Sequence, residues 1–330
     1  MSLETLDKAL LQHLADGRFH SGTALAESLG ISRAAVWNHI QKLGTLGLDI
    51  SAVPGKGYRL LSPVELLAED SIRSALKPES ASLLSGLDLH DCLDSTNSHL
   101  MRNLAEGAPT GRVCLAEFQQ AGRGRIGRTW FSPYGANIYL SLLWRFEDPA
   151  QVGGLSLAVG VSVLRALNTL GITGLSLKWP NDILWNEAKL GGILIEVAGE
   201  SHGRCGVVIG LGLNRHIPVS AAAVIDQAWS DLGQVCGGMP PSRNRLVAEV
   251  LNELLPLLRD YPSSGLSAYL PEWRQAHALA GRPAMIVFGD RHIEGHVVDV
   301  TDEGMLLFED NDGRRRQFAS GELQLRARST

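Results

Sequence analysis

Arg123, Arg125 and Arg128 fall within six residues, interleaved with glycines in the run Gln119-Gln120-Ala121-Gly122-Arg123-Gly124-Arg125-Ile126-Gly127-Arg128. Guanidinium groups present forked donors that match phosphate and carboxylate oxygens, and glycine lets backbone approach a ligand closely. The three glycines also satisfy G-x-G-x-x-G. A dinucleotide site, however, needs a helix starting there so that its amino end meets the pyrophosphate. Thr129-Trp130-Phe131-Ser132-Pro133 follows instead, a poor helix start, and the dinucleotide reading fails. No Gly-Lys-Ser/Thr occurs, which excludes a Walker loop. What remains is an anion-gripping loop or a basic surface loop.

Three further stretches suit anion chemistry. Asp94-Ser95-Thr96-Asn97 precedes a helical segment, so hydroxyls and free amides gather at a positive helix end; plain capping explains the same residues. Lys178-Trp179-Pro180-Asn181-Asp182 ends a strand with a cation, an amide and a carboxylate in a rigid turn. Lys189 enters the apolar strand Leu190-Gly191-Gly192-Ile193-Leu194, either solvated at a strand edge or turned inward toward a ligand.

The elements that carry these residues follow from periodicity. Residues 1–60 read as three helices and a hairpin. Leu3, Leu6, Leu10 and Leu14 share one helical face, Ser21 caps a second helix ended by Gly30, and Ser32 caps a third. Ile50–Val53 and Tyr58–Leu61 flank Pro54-Gly55-Lys56-Gly57 as a hairpin, and Ser62-Pro63 is a natural boundary. From 63 to about 272, strand candidates 113–118, 137–144, 175–179, 193–197 and 207–213 alternate with helical stretches 155–170 and 243–261, which predicts a central sheet with helices against it. Beyond Trp273, five short strands separated by turn residues at Gly289-Asp290, Asp302-Glu303-Gly304, Asn311-Asp312-Gly313 and Ser320-Gly321 predict a small closed barrel.

Two short helices around Gly30-Ile31 have the layout of a helix-turn-helix. On the third helix Val36, Ile40 and Leu43 face inward, while Ala34, Asn38 and Gln41 face out with Trp37 and Lys42 beside them. Amide and methyl groups suit base edges of the major groove. Residues 31–60 carry Arg33, Lys42, Lys56 and Arg59 against the single acid Asp49, and the hairpin would touch phosphates as a wing. A three-helix protein-interaction module is the competing interpretation. One such unit buries too little surface for tight specific binding, so DNA reading implies a dimer.

Composition sets the remaining bounds. The chain has 330 residues, 45% hydrophobic and 20% charged, with a net charge of −5, so any nucleic-acid contact must come from a local patch. Cys92, Cys114, Cys205 and Cys236 lack the short spacing of a metal knuckle or redox motif, which predicts free thiols in a reducing, cytoplasmic compartment. Residues 1–11 lack the basic-then-apolar layout of a secretory signal, and no membrane-spanning run is expected.

Taken together, Asp94–Asn97, Gln119–Arg128, Lys178–Asp182 and Lys189–Ile193, in that order behind a winged helix, resemble the biotin–protein ligase family, most of all its bifunctional ligase/biotin operon repressor members. The resemblance spans nearly the whole chain. It implies an α+β multidomain protein: a winged helix-turn-helix (1–62), a mixed α/β ligase domain (63–272) and an SH3-like barrel (273–330). The implied reaction makes biotinyl-5′-AMP from biotin and ATP with Mg²⁺, then passes biotin to a lysine of the biotin carboxyl carrier protein of acetyl-CoA carboxylase. Biotinyl-AMP would also act as corepressor, promoting a homodimer that binds operator DNA and represses biotin synthesis genes.

By the same resemblance Ser95, Thr96 and Gln119 hold the ureido ring, with Asn97, Arg123, Gly124, Arg125, Lys189 and Gly192 completing the biotin site. Arg123, Arg125, Arg128, Lys178 and Asn181 serve ATP and the adenylate, and Phe318 stacks on adenine. Arg125, Lys189, Lys178 and Asp182 carry the chemistry, with Asp182 as the magnesium ligand. Ser32, Arg33, Ala34, Trp37, Asn38, Gln41, Lys42, Lys56 and Arg59 contact DNA. A non-catalytic biotin-sensing regulator and a lipoate-type ligase are the alternatives.

Overall fold

The structure is a computed structural model that describes residues 5–62, 64–199, 203–218, 225–288, 291–319 and 324–327. Leu3, Pro63, the Gly289-Asp290 turn, the Ser320-Gly321 turn and Leu323 lie outside them.

The first unit follows its local signals. Helices α1 (Thr5–Leu14), α2 (Gly22–Leu29) and α3 (Arg33–Thr45) precede the antiparallel strands β1 (Ile50–Val53) and β2 (Gly57–Leu60). Ser21 and Ser32 each accept a hydrogen bond from the amide three residues on, Ala24 and Ala35, and Gly30 ends α2 at φ 65°. Leu10, Leu11, Leu14, Leu25, Val36, Ile40 and Leu43 form its core. That core also takes in Tyr134 from the next unit, whose amide donates to the Leu46 carbonyl at 3.0 Å.

Helices α4 (Glu69–Ser74) and α5 (Pro78–Leu83) lead into a seven-stranded sheet. Its strands are β3 (Gly86–Leu93), β4 (Arg112–Gln119), β5 (Ile138–Phe146), β6 (Leu175–Lys178), β7 (Asp182–Trp185), β8 (Ala188–Gly199) and β9 (Cys205–Leu213), in the order β3-β4-β5-β9-β8-β7-β6. Only β3 and β4 run parallel. Alternation divides the faces. Leu140, Leu142 and Trp144 with Val207, Ile209 and Leu211 meet the helices α7 (Leu155–Thr169) and α9 (Arg243–Ser264) across the main core. Ser141, Leu143, Val208 and Gly210 face α6 (Thr96–Ala105) instead.

After the short helix α8 (Leu232–Val235), Arg243 starts α9 fully buried. Its guanidinium donates to the carbonyls of Glu65 and Asn137 and pairs with Glu117, which in turn accepts from the Leu67 amide at 2.6 Å. The pair fastens the connection from the first unit to the sheet.

Strands β10 (Pro283–Phe288), β11 (Arg291–Val300), β12 (Leu306–Asp310), β13 (Arg315–Phe318) and β14 (Gln324–Ala327) make an antiparallel sheet in the order β13-β12-β11-β10-β14. The boundary expected after residue 272 falls inside α10 (Leu270–Ala276), and Ile286, Val297, Leu306 and Phe308 share one core with the central sheet. Among the described residues no helix is long and apolar enough to cross a membrane. The four cysteines are free thiols.

Candidate functional site

A cavity of about 770 Å³ opens on the α6 side of the sheet, within the range of small-molecule sites. Ser95, Thr96, Asn97, Gln119, Arg123, Gly124, Arg125, Arg128, Lys178, Asn181, Asp182, Lys189 and Gly192 all line it. Four separate stretches of sequence therefore converge on one space.

The neutral part is built at the amino end of α6. Ser95 caps the helix, accepting from the Ser98 amide at 3.5 Å, so its hydroxyl serves capping as well as the cavity wall. Gln119, at the end of β4, accepts from the Thr96 amide at 2.9 Å and from its hydroxyl at 3.2 Å, and donates to Ser132 Oγ at 3.0 Å. Ser141 Oγ lies 2.7 Å from Thr96 Oγ1 and 2.5 Å from Asn97 Oδ1. Asn97 donates to Glu196 Oε2 at 3.0 Å. Ser95, Thr96, Asn97 and Gln119 are all buried, so the network is fixed before any ligand enters.

Space for it comes from β9. A Cβ at Gly210 would lie 2.2 Å from Asn97 Oδ1, and one at Gly212 would lie 2.4 Å from the Trp130 ring. Only the missing side chains let α6 and Trp130 sit against the sheet.

The arginine loop closes over this wall as a pinched turn, with Gly124 N donating to Arg128 O at 2.7 Å and Trp130 N to Gly122 O at 2.8 Å. No dinucleotide-type α-helix starts there; the turn holds only a single 3₁₀ stretch, Arg125–Gly127. Arg123 pairs with Glu196 at 2.9 Å. Arg125 donates from Nη1 to Asn181 Oδ1 at 3.3 Å, while its Nη2 is buried without a partner among the described residues. Burial lowers the Arg125 pKa, partly offset by Asp182, yet arginine stays charged. An orphaned cationic donor on a cavity wall calls for an anion.

Opposite stand the β6–β7 hairpin and β8. Trp179 is buried and donates from Nε1 to the Gly304 carbonyl at 3.0 Å, and Asn181 donates to the Ile193 carbonyl at 2.6 Å. Asp182 Oδ1 receives Lys189 Nζ at 2.7 Å, and its Oδ2 lies 3.4 Å from Lys178 Nζ. Burial pushes the Asp182 carboxyl up, but the two lysines outweigh it and hold it below the usual carboxylate range. Lys189 Nζ is also 5.6 Å from the Trp130 ring centre. The lysine points into the site and is not solvated at a strand edge.

Two site assignments from sequence meet competing contacts in the structure. A magnesium ion on Asp182 would meet two ammonium groups that already pair with its carboxylate. In this structure Asp182 holds the two lysines. Phe318 lies off the cavity wall: its ring packs edge-on against Phe308, with centroids 6.3 Å apart, because the C-terminal sheet claims it for its own core.

Trp130, Ser132, Ser141, Glu196 and Gly210 were not singled out from sequence. Alternate glycines in Gly206-x-Val208-x-Gly210-x-Gly212 were the available signal, since a strand that places small residues on one face leaves room for something else there.

On the first unit Arg33, Ala34, Trp37, Asn38 and Gln41 are exposed along α3, and Lys56 is exposed at the hairpin tip. Ser32 spends its hydroxyl on the cap. Arg59 is half-buried with its guanidinium 4.7 Å from the Phe19 ring centre. Lys42, expected to contact DNA beside the groove-facing residues, is held within the unit: its ammonium is 2.7 Å from Asp7 Oδ2, and His39 Nδ1 is 2.6 Å from Oδ1. Asp7 is fully buried, and a buried carboxylate requires such partners.

A family model described as the biotin/lipoate A/B protein ligase family matches residues 89–214, and one described as an HTH domain matches residues 7–59. The bifunctional ligase/repressor BirA of Salmonella typhimurium is 41% identical over 324 residues, covering 98% of each chain. That of Escherichia coli is 40% identical over 328 residues, covering 99% of each. The solved structure of an Aquifex aeolicus biotin protein ligase in complex with biotin and ATP matches with a TM-score of 0.62 at 26% identity, covering 74% of this chain and 100% of that one.

Proposed function

The chain belongs to the biotin–protein ligase family, among its bifunctional ligase/repressors, and from that premise we propose a two-step reaction in the cavity with a regulatory use of its intermediate. The observation that carries the reading is that neutral hydrogen-bonding groups and five cations line one space large enough for biotin and a nucleotide together.

Thr96, Asn97 and Gln119, already interlocked and buried, offer donors and acceptors to the ureido ring. Biotin's carboxylate then lies among cations and attacks the α-phosphorus of ATP, taken up as its magnesium complex. The bond to the bridging oxygen breaks, pyrophosphate leaves, and biotinyl-5′-AMP remains. Arg125 meets the charge that develops on the phosphoryl oxygens, using the Nη2 that has no partner among the described residues. Lys189, released from Asp182, reaches the same oxygens, and Arg123, Arg128 and Lys178 add field. In the second step the amine of a carrier lysine attacks the anhydride carbonyl, the amide forms, and AMP leaves with the electron pair. No side chain becomes covalently attached, so positioning and charge neutralisation supply the acceleration.

The acceptor on this reading is the biotin carboxyl carrier protein of acetyl-CoA carboxylase. A cytoplasmic homodimer promoted by biotinyl-AMP presents two α3 helices to operator DNA, with Lys56 and Arg59 on the hairpin wings beside the phosphates. Tyr134, six residues beyond Arg128 and seated in the first unit's core, supports communication between the loop and the DNA reader. Incubation with biotin, ATP, Mg²⁺ and purified carrier domain tests the reading: biotin must appear on the carrier, and not on a carrier whose acceptor lysine is replaced by arginine. Failure with a folded, biotin-saturated protein overturns it.

A further inference from the structure

We propose that His90, His99 and Cys114 form a site for a zinc-class transition-metal ion, separate from the cavity. None of the three lines that cavity. His90 and Asp88 share one face of β3, Cys114 stands opposite Asp88 on β4, and His99 descends from α6, which packs on that face. One donor atom from each of His90, His99 and Cys114 lies within 4.8 Å of the others. Tetrahedral zinc, with bonds of about 2.0–2.3 Å to nitrogen and sulfur, sets such donors roughly 3.5 Å apart, so small side-chain rotations suffice.

Two observations favour an ion over simple packing. His90 Nε2 is buried with no partner among the described residues, a cost that a bound cation removes. The His90 and His99 rings meet edge-on with centroids 4.6 Å apart, at the rim of an apolar cluster of Leu100, Leu104, Leu143 and Val208 in which Cys114 is fully buried. Two imidazoles and a thiolate select zinc-class ions over magnesium or calcium. Asp88, forked by Arg112 at 2.7 and 2.8 Å, adds negative charge 3.6 Å from His99 Nε2. Binding exchanges the thiol proton for the metal, with one proton released. Because the ligands come from two strands and the helix above them, the ion staples α6 to β3–β4 and steadies the helix whose amino end lines the cavity.

Full-length protein, stripped by chelator and kept reduced, is titrated with Co²⁺ and then Zn²⁺. One Co²⁺ should bind per chain with the near-ultraviolet charge-transfer band of a thiolate–cobalt bond, Zn²⁺ should displace it, and Zn²⁺ should raise the Tm. Cys114→Ala should abolish the band. His90→Ala and His99→Ala should each weaken binding more than about tenfold, the least that loss of even an outer-shell partner typically causes. His90 is half-buried on an edge strand, so His90→Ala remains informative if Cys114→Ala does not fold. Absence of stoichiometric binding, cobalt binding without the thiolate band, or unchanged affinity in folded His90→Ala would overturn the site.

Discussion

Lys189 Nζ sits 2.7 Å from Asp182 Oδ1 across the turn between β7 and β8, and the two side chains are among the more enclosed charges of the cavity. On the proposed reaction, the pair stores a cation at the place where an anionic transition state forms. Replacing Lys189 with Met should lower the turnover of adenylate formation by about 10²–10³-fold, the usual cost of one preorganised charge donor. Asp182→Asn frees both lysines and should tighten ATP binding while slowing turnover less. Steady-state rates with varied biotin and ATP separate these outcomes.

Gly210 faces Asn97 at a distance no side chain fits. Gly210→Ala should push α6 off the sheet, weaken biotin binding more than ATP binding, and cost about 1–3 kcal/mol of stability. Calorimetric titration with biotin and denaturant unfolding report the two effects.

Much of this architecture was readable in advance, and the failures share a cause. Ser21, Gly30 and Ser32 act through neighbours within four residues, and the strands followed from alternation, so local chemistry sufficed. The four stretches were legible as candidates because glycine-interleaved arginines and strand-end lysines suit anions, and one cavity brings them together. Lys42, by contrast, was judged by its helix face alone; its partner Asp7 lies on another helix and only the packed unit brings them together. Phe318 was likewise read without its neighbour Phe308, which packs edge-on against its ring. The glycines of β9 gained meaning only once α6 was seen against them.

The first unit should separate two kinds of basic residue. Lys56→Ala should weaken DNA binding across sequences and reduce the salt slope by about one, as the loss of a phosphate contact does. Lys42→Ala should chiefly destabilise the unit by stripping a buried carboxylate of a partner. Salt-dependent binding titrations and thermal melts of both variants decide the assignment.

Arg243 and Glu117 form a fully enclosed pair that joins α9, the 65–67 connection and the sheet. Arg243→Met should cost about 3–5 kcal/mol, because the carboxylate is left buried and unpaired. Restoring neutrality with Glu117→Gln in the same chain should recover part of the loss, measured by denaturant unfolding.

His277 stacks on Trp273 with ring centres 4.4 Å apart, and burial lowers its pKa from 6.5 to about 4. The unfolded chain therefore binds the proton first as pH falls. Stability contributed by the neutral ring is intact above pH 6.5 and drains away toward pH 4, by about 3 kcal/mol in all. His277→Gln should flatten this part of the stability–pH curve relative to the unmodified protein.

The central claim is that the cavity adenylates biotin, and the direct measurement is exchange of labelled pyrophosphate into ATP. With Mg²⁺, exchange should depend on biotin, ignore lipoate, and fall at least a hundredfold in Arg125→Ala that still binds biotin. A folded protein that binds biotin tightly yet shows no exchange, or one that exchanges equally well with lipoate, would contradict the account.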